Sequence, residues 1–236
     1  MKLNERQKQI VELVNQKQRI SVKALADALF FTEMTIRRDL IKLENEGYLH
    51  RYRGGAIAMC CTEQYPIDQR MYMNEQEKRE LARRAAAYLR DGQTILLCGN
   101  SSCAYLLPFL KDYKNLHILT DSLQFLTTLS EMRIRCTICG GEYFAADKIL
   151  IGHASENFFR QFNYDIAFMG CDGIDDDGTI SVLREHSAQL CKIALVNAEK
   201  CIILADHSKL HSRSHFNICN KSENEKIILL LTSNKQ

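Results

Sequence analysis

The sequence predicts an α/β protein in two parts: a small helical head ending in a β-hairpin, and a larger body built on a mostly parallel sheet. Apolar residues recur at helical spacing through the first 46 residues. Residues 1–57 hold 11 Lys and Arg against 7 Asp and Glu, a net charge of +4, whereas the remainder carries −2. Beyond residue 93, short apolar runs alternate with helix-like stretches, as in a sheet covered by helices.

The composition excludes several classes of protein. The 46% hydrophobic and 25% charged residues are ordinary for a folded protein of one or two domains, so wholesale disorder is not expected. No apolar run reaches the roughly 20 residues that cross a bilayer, and the first ten residues lack the apolar segment of a secretory signal. The ten cysteines have no framework spacing, so we expect free thiols in a cytoplasmic protein.

Three helices and a hairpin are expected in the head. The first helix covers about residues 4–15, and Ser21 and Thr32 are the expected N-caps of the next two. Gly47 is expected to end the third helix at the position after its C-cap. Alternating residues before a Gly pair then predict a short hairpin over residues 48–55.

The second and third helices have the spacing of a helix-turn-helix motif, which places its second helix in the major groove of DNA. With Ile36, Leu40 and Leu43 facing inward, the third helix presents polar and basic residues outward. The expected DNA contacts, including two hairpin arginines, are Thr32, Glu33, Thr35, Arg37, Arg38, Lys42, Arg51 and Arg53. The alternative is a basic head that binds protein, but the spacing and the basic face together favour DNA.

Residues 58–74 are predicted to link a DNA-binding domain (1–57) to an α/β domain (75–236). Asn74 and Glu77 match a capping box that opens a helix through Leu89. Strands are expected at residues 94–97, 116–119, 136–139, 166–169 and 201–204, and helices near residues 102–110, 122–130, 150–161 and 185–198.

Polar clusters follow several of these strands. A Gly/Ser-rich turn before a helix is a ready anion site, although from spacing alone an ordinary strand–helix turn is preferred. Because ligands of open α/β sheets bind beyond the carboxyl ends of the strands, repetition of the clusters favours a site. Its expected residues, with carboxylates for sugar hydroxyls and a lysine for phosphate, are Gly99, Asn100, Ser101, Ser102, Asp121, Gly141, Asp172, Asp206 and Lys209.

Residues 6–56 resemble the DeoR family of bacterial transcription regulators, above all in TIRRDL (35–40) and RYRGGA (51–56). The resemblance continues to about residue 218, through TDSL (120–123), DIAFMG (165–170) and LADHSK (204–209). It implies a body similar to ribose-5-phosphate isomerase that binds a phosphorylated sugar, with residues 99–102 holding the phosphate, and that relays binding to the head.

The chain departs from the family pattern at a few positions. Phe30 stands where relatives often carry a small or turn-favouring residue, and Phe is costly there if the backbone has positive φ. Ser101 and Ser102 replace a usual Thr pair, and Asp121 replaces a usual Asn. After Ile218 the pattern fades, so the final strand and helix are expected to be absent or altered.

A zinc site is a weaker alternative. Cys136 and Cys139 are two residues of the right type, with His207, His211 and His215 as further candidates. On a strand, however, an odd spacing points the two cysteines to opposite faces. We therefore expect neither a metal nor a cofactor.

An isomerase-like enzyme with an accessory DNA-binding head is the alternative function. Glu185, His186 and Asp172 would then serve as its acid and base. The attached head favours sensing over catalysis. We expect a transcription regulator and not an enzyme: a repressor of a sugar-utilisation operon, controlled by a phosphorylated sugar and assembled as a dimer or tetramer on operator DNA.

Overall fold

The computed structural model describes residues 3–17, 19–46, 48–52, 54–58 and 65–232. The chain divides into two units, Met1–Met73 and Asn74–Gln236. No helix in the described residues is long and apolar enough to span a membrane. Gly47 and Arg53, which the sequence assigns to a helix end and a DNA contact, lie outside the described residues.

Helices and a small antiparallel sheet form the first unit. Its helices are α1 (Glu5–Lys17), α2 (Val22–Leu29), α3 (Glu33–Asn45) and the short α4 (Ile67–Arg70). Its strands are β1 (Arg19–Ser21), β2 (His50–Tyr52) and β3 (Gly55–Ile57), with β3 in the middle. The predicted hairpin is confirmed as β2–β3, whereas β1 was not predicted.

Capping and burial explain why these helices form. The Ser21 hydroxyl accepts a hydrogen bond from the Ala24 N–H at 3.1 Å, and the Thr32 hydroxyl accepts from the Thr35 N–H at 3.3 Å, which confirms both N-caps. The apolar stripes meet in one core, whose fully buried members include Ile10, Val14, Leu25, Ile36, Leu40, Leu43 and Leu49.

A buried charge joins α1 to α3. The Asp39 carboxylate is buried and accepts hydrogen bonds from Arg6 Nε at 2.5 Å and from Gln7 Nε2 at 3.1 Å. An isolated buried carboxylate is costly, so these partners are needed for its burial. Asp39 thereby fixes the orientation of α3.

Part of the predicted linker is folded onto the first unit. The Tyr65 hydroxyl lies 2.9 Å from the carbonyl oxygen of Tyr48 and 3.2 Å from Asn15 Oδ1, and Ile67 is fully buried. The sequence missed α4 because its four residues are too few to show a helical period.

The second unit is built on six parallel strands. They are β4 (Thr94–Leu97), β5 (His117–Thr120), β6 (Arg135–Ile138), β9 (Tyr164–Gly170), β12 (Ala198–Ala205) and β14 (Ile227–Leu231). Their order is β14-β12-β9-β4-β5-β6, and each neighbouring pair is parallel. With the first unit, this sheet confirms the predicted fold class.

Two smaller sheets and six helices complete this unit. The hairpin is β7 (Glu142–Phe144) with β8 (Ile149–Ile151), and the three-stranded sheet is β10 (Gly173–Ile174), β11 (Thr179–Val182) and β13 (Phe216–Asn220). The helices are α5 (Glu75–Ala86), α6 (Ser101–Ala104), α7 (Leu107–Leu110), α8 (Leu123–Glu131), α9 (His153–Phe159) and α10 (Glu185–Asn197). Single 3-10 turns lie at His207–Lys209 and Lys221–Glu223.

The predicted capping box at the start of α5 is wrong. Asn74 is the N-cap, but its side chain makes no capping bond and its Nδ2 donates to Asp206 Oδ1 at 2.9 Å. Glu77 instead accepts from the backbone N–H of His207 at 3.0 Å. Long-range contacts therefore take both side chains, and α5 ends at Ala86 rather than continuing through Leu89.

The final strand, which the sequence predicts to be absent or altered, is present. Strand β14 pairs along its whole length with β12, from Cys201↔Ile227 to Ala205↔Leu231. Its five residues are all Ile or Leu, a continuous apolar run that is typical of a strand in a parallel sheet. The composition of these residues is therefore the physical signal for a strand.

Phe30, between α2 and α3, has a strained backbone. Its φ is +57° and its ψ is +39°, the left-handed region, while its side chain is 94% exposed. This conformation costs a residue with a Cβ roughly 1–2 kcal/mol. Burial of the ring does not offset that cost.

Replacing Phe30→Gly should therefore stabilise the first unit by about 1 kcal/mol, because Gly adopts positive φ without a clash. Met34→Gly is the matched control: Met34 is also exposed but lies inside α3, so Gly there should destabilise by about 1 kcal/mol. Amide hydrogen exchange of the full chain, read at Leu25 and Leu40, measures both effects. Faster exchange in both variants would contradict strain at Phe30.

Candidate nucleic-acid interface and ligand site

The outer side of α3 carries the predicted DNA contacts. Thr32, Glu33, Arg37, Arg38 and Lys42 are exposed, and Thr35 is half-buried. The opposite side buries Ile36, Asp39, Leu40 and Leu43. The exposed Arg51 lies on β2 in the hairpin. The first unit therefore presents one polar, largely basic helix face with an arginine on the adjoining hairpin.

Acidic neighbours hold two of the arginines. Arg37 Nη2 lies 3.1 Å from Glu33 Oε2, one helical turn away. Arg51 Nε lies 2.8 Å from Glu44 Oε2, and the other oxygen of Glu44 accepts from the Arg51 N–H at 2.8 Å. Among the described residues, Arg38 has no ion-pair partner. Lys42 likewise has none among the described residues, so these are the two charges on this face without an acidic partner.

Sequence reasoning missed two apolar members of the same helix. Met34 and Ile41 are exposed large side chains on α3, next to the polar positions. Their exposure is the signal, and only the structure gives it. Apolar side chains on a groove-reading helix suit contact with the methyl group of thymine.

In the second unit, the turn after β4 is already hydrogen-bonded. Asn100 caps α6, with its Oδ1 accepting from the N–H groups of Ser102 at 3.1 Å and Cys103 at 2.9 Å. The Gly99 N–H donates to Asp121 Oδ1 at 2.6 Å. Ser101 and Ser102 are buried. Side-chain oxygens therefore occupy the N–H groups that would face a bound anion.

Glycines bring the ends of three strands together. A Cβ on Gly99 would lie 2.5 Å from Ile149 Cγ2 and 2.9 Å from Asp121 Oδ1. A Cβ on Gly170, at the end of β9, would lie 3.1 Å from Asn100 Cγ. The residues that follow β4, β5 and β9 thus meet at one edge of the sheet, as the sequence predicts for parallel strands.

Asp121 is a buried carboxylate at this edge, and its pKa is raised. It is almost fully buried, and burial raises the pKa of its carboxyl to about 7, while the nearby Asp147 acts in the same direction. The hydrogen bond from Gly99 opposes the rise in this pKa. Asp121 therefore titrates near neutral pH in the folded chain.

The other predicted ligand residues form a second group. Asp172 Oδ2 accepts from the Leu183 N–H at 2.9 Å, and Asp206 Oδ1 accepts from the Ser208 N–H at 3.1 Å. Burial acts to raise the pKa of Asp206, but the Lys209 ammonium and hydrogen bonds lower it overall. Asp172, Asp206 and Lys209 all act electrostatically on Cys171, the residue after Gly170, so this group adjoins the first.

Gly141 lies at the start of the β7–β8 hairpin, which covers the edge of the sheet. Its φ is +145°, and a Cβ there would clash with the backbone of Ile151. The Leu150 N–H donates to the Asp121 carbonyl at 2.8 Å, which attaches the hairpin to the end of β5. Gly141 thus shapes the hairpin.

A small cavity opens between the hairpin and α10. It measures about 10 Å³, about the space of one water molecule by this measure. Its polar lining comes from Asp121, Ser155, Glu156 and His186, and its remaining lining comes from Leu150, Ile151, Gly152 and Leu190. Burial lowers the pKa of His186. The cavity thus lies between Asp121, which accepts a hydrogen bond from the Gly99 N–H, and the start of α10.

Two of the histidines considered as zinc ligands pair with acidic side chains. His207 Nδ1 lies 2.5 Å from Glu77, and His211 Nδ1 lies 2.6 Å from Asp176. Among the described residues, the group of side chains close enough to share a metal ion is Glu77, Asp206 and His207. Hydrogen bonds between Glu77 and His207 join α5 to the turn after β12.

Comparison with known families identifies both units. The DeoR-like helix-turn-helix domain matches residues 6–61, and the DeoR C terminal sensor domain matches residues 73–229. The chain belongs to the DeoR family. The predicted family is therefore confirmed, and so is the predicted role as a transcription regulator.

Individual relatives cover most of the DeoR-family chain. The glycerol-3-phosphate regulon repressor of Escherichia coli (strain K12) is 29% identical over 219 residues, 92% of this chain and 87% of the relative. The L-fucose operon activator of Haemophilus influenzae is 28% identical over 222 residues, 94% of this chain and 89% of the relative. The solved ribose 5-phosphate isomerase A of Methanocaldococcus jannaschii is 20% identical, with a TM-score of 0.42 over 58% of this chain and 55% of that one.

The acid–base residues of the alternative enzyme have different surroundings in this DeoR-family sensor domain. His186 lines the cavity with Asp121, but Glu185 is exposed. The Asp172 carboxylate accepts a hydrogen bond from the Leu183 N–H. Both named relatives are regulators of transcription.

The raised pKa of Asp121 predicts a pH-dependent stability. The folded chain holds this proton more tightly than the unfolded chain, in which an Asp titrates at about 3.9, so stability falls as pH rises between about 4 and 7. Asp121→Asn keeps an oxygen for the Gly99 N–H and removes the ionisation. We expect the variant to melt above the wild type at about pH 8, with the difference shrinking towards about pH 5. Thermal unfolding curves that differ equally at both pH values would contradict this assignment.

Proposed function

We propose that this chain is a repressor that binds operator DNA through α3 and the β2–β3 hairpin, and that a phosphorylated sugar bound at the carboxyl edge of the parallel sheet controls this binding. The observation that carries the DNA part is the exposed face of α3, where Arg38 and Lys42 lie among Thr and Arg side chains that suit bases and phosphates. Membership of the DeoR family supports it.

The convergence of Gly99, Asn100 and Asp121 with Gly170 supports the sensing part. An anion would accept the hydrogen bonds that Asn100 and Asp121 now accept, with Ser101 and Ser102 close by. Asp172 and Asp206 would accept hydrogen bonds from sugar hydroxyls, and Lys209 would complement the phosphate. The name of the Escherichia coli relative, a glycerol-3-phosphate regulon repressor, agrees with a phosphorylated effector.

Two copies of the chain would present two α3 helices to DNA. A two-fold dimer reads half-sites about 34–36 Å apart, so we propose that the active species is a dimer or a tetramer.

Arg38→Ala should weaken binding to an operator selected from random duplexes by the wild-type chain. It should also lower the slope of log affinity against log salt by about 1, because one phosphate or base contact is lost. Arg37→Ala should have a smaller effect, since Glu33 offsets its charge. Fluorescence anisotropy at several salt concentrations measures both.

Arg83→Ala is the control, because it removes an exposed arginine that pairs with Glu80 in the second unit. Wild-type affinity and salt slope in Arg38→Ala would refute the placement of α3 on DNA.

The sensing proposal predicts that a sugar phosphate raises the melting temperature of the full chain and that the parent sugar does not. A ligand at about 100 times its Kd stabilises by about 2.7 kcal/mol. The same compound should release the labelled operator. Stabilisation without release would contradict the proposed control, and turnover of ribose 5-phosphate by the purified chain would favour the enzyme.

A further inference from the structure

We propose that Arg184 and His186, at the start of α10, bind hydroxyl groups of the effector and so select among phosphorylated compounds. This inference rests on the proposed sensing function and extends it to residues that the expected ligand set does not contain. It assigns the phosphate and the hydroxyl-bearing part of the ligand to different ends of one site.

The cavity gives the geometric basis. Asp121, which accepts a hydrogen bond from the Gly99 N–H of the turn after β4, and His186 both line it. The Nε2 atom of His186 is buried and has no hydrogen-bond partner among the described residues. A buried polar atom without a partner is costly, so a ligand that satisfies it gains affinity.

Arg184 carries a second such atom. Its guanidinium stacks on the Phe144 ring, with Cζ 4.7 Å from the ring centroid. Its Nε forms an ion pair with Asp147 Oδ2 at 3.8 Å, which is too long for a hydrogen bond. The Nε atom is buried and has no hydrogen-bond partner among the described residues. The His186 ring lies 5.1 Å from the same Phe144 ring. Phe144, on the β7–β8 hairpin, thus orients both side chains.

The mixture of donors and acceptors points to hydroxyl groups. A hydroxyl both donates and accepts, so in the cavity it can donate to Asp121 or Glu156 and accept from His186. Arg184, which contacts the same Phe144 ring as His186, adds donors next to that residue. A phosphate placed in this cavity would face the Glu156 carboxylate, which repels it. The cavity of about 10 Å³ also has the size of one such group.

The test compares inorganic phosphate, glycerol 3-phosphate, ribose 5-phosphate and fructose 6-phosphate by calorimetric titration of the full chain. The wild type should bind at least one hydroxyl-bearing phosphate more tightly than inorganic phosphate. His186→Phe keeps the ring against Phe144 and removes its nitrogens, and Arg184→Met keeps the length of the stem. Each should weaken the preferred compound about tenfold, the effect of one hydrogen bond to a buried or charged group.

Inorganic phosphate should bind equally to the wild type and both variants. Lys192→Met, an exposed position on α10, is the matched control and should leave every affinity unchanged. Arg184→Lys, which retains the positive charge, provides a milder variant and should lose part of the preference. The concentration that releases operator DNA should rise in parallel for His186→Phe and Arg184→Met.

The outcomes separate the two proposals. If the wild type prefers a sugar phosphate and all Arg184 and His186 variants keep that preference, the hydroxyl-binding role is wrong and the sensing function stands. If the wild type binds none of the four compounds, the sensing function fails, and the role of Arg184 and His186 fails with it. Equal weakening of inorganic phosphate and the sugar phosphate would place these side chains at the phosphate and also overturn the assignment.

Discussion

The parallel direction of six strands is the constraint on which the ligand site depends. Parallel pairing puts the carboxyl ends of β4, β5, β9 and β12 at one edge of the sheet. The chain first builds outward from β4 to β6 and then returns beside β4 with β9, which opens a crevice at the change of direction. A side chain at Gly99 would collide with Ile149 and Asp121, and one at Gly170 would crowd Asn100, so both positions need glycine for close approach.

The same edge already contains a negative oxygen acceptor. Asp121 accepts from the Gly99 N–H, and Asn100 satisfies the first turn of α6. An anionic ligand must therefore replace these oxygens, which makes its binding an exchange of hydrogen bonds and not a simple addition. Because the pKa of Asp121 lies near 7, the competing carboxylate carries a charge that depends on pH in the neutral range.

The sequence predicts most of the framework and less of the site. Periodicity and capping identify α1 to α3, because those signals depend on residues a few positions apart. The capping box at Asn74 fails because its side chains bind Asp206 and His207, 130 or more positions away. The unpartnered atoms of Arg184 and His186 have no counterpart in the sequence, since burial without a partner is a property of the folded chain.

The proposed sensing and DNA-binding surfaces have one requirement in common, an exchange of partners on binding. On α3, Glu33 offsets part of the charge of Arg37, so the proposed DNA contact would exchange one ionic partner for another. At the sheet edge, the proposed ligand would exchange partners with Asp121 and Asn100. A ligand alters DNA affinity only if it binds the DNA-competent and incompetent arrangements unequally, whatever its total affinity. Side chains that exchange hydrogen-bond or ionic partners on binding are therefore better candidates for controlling DNA affinity than side chains that only add contacts. The bonds of such side chains can differ between the DNA-competent and incompetent arrangements.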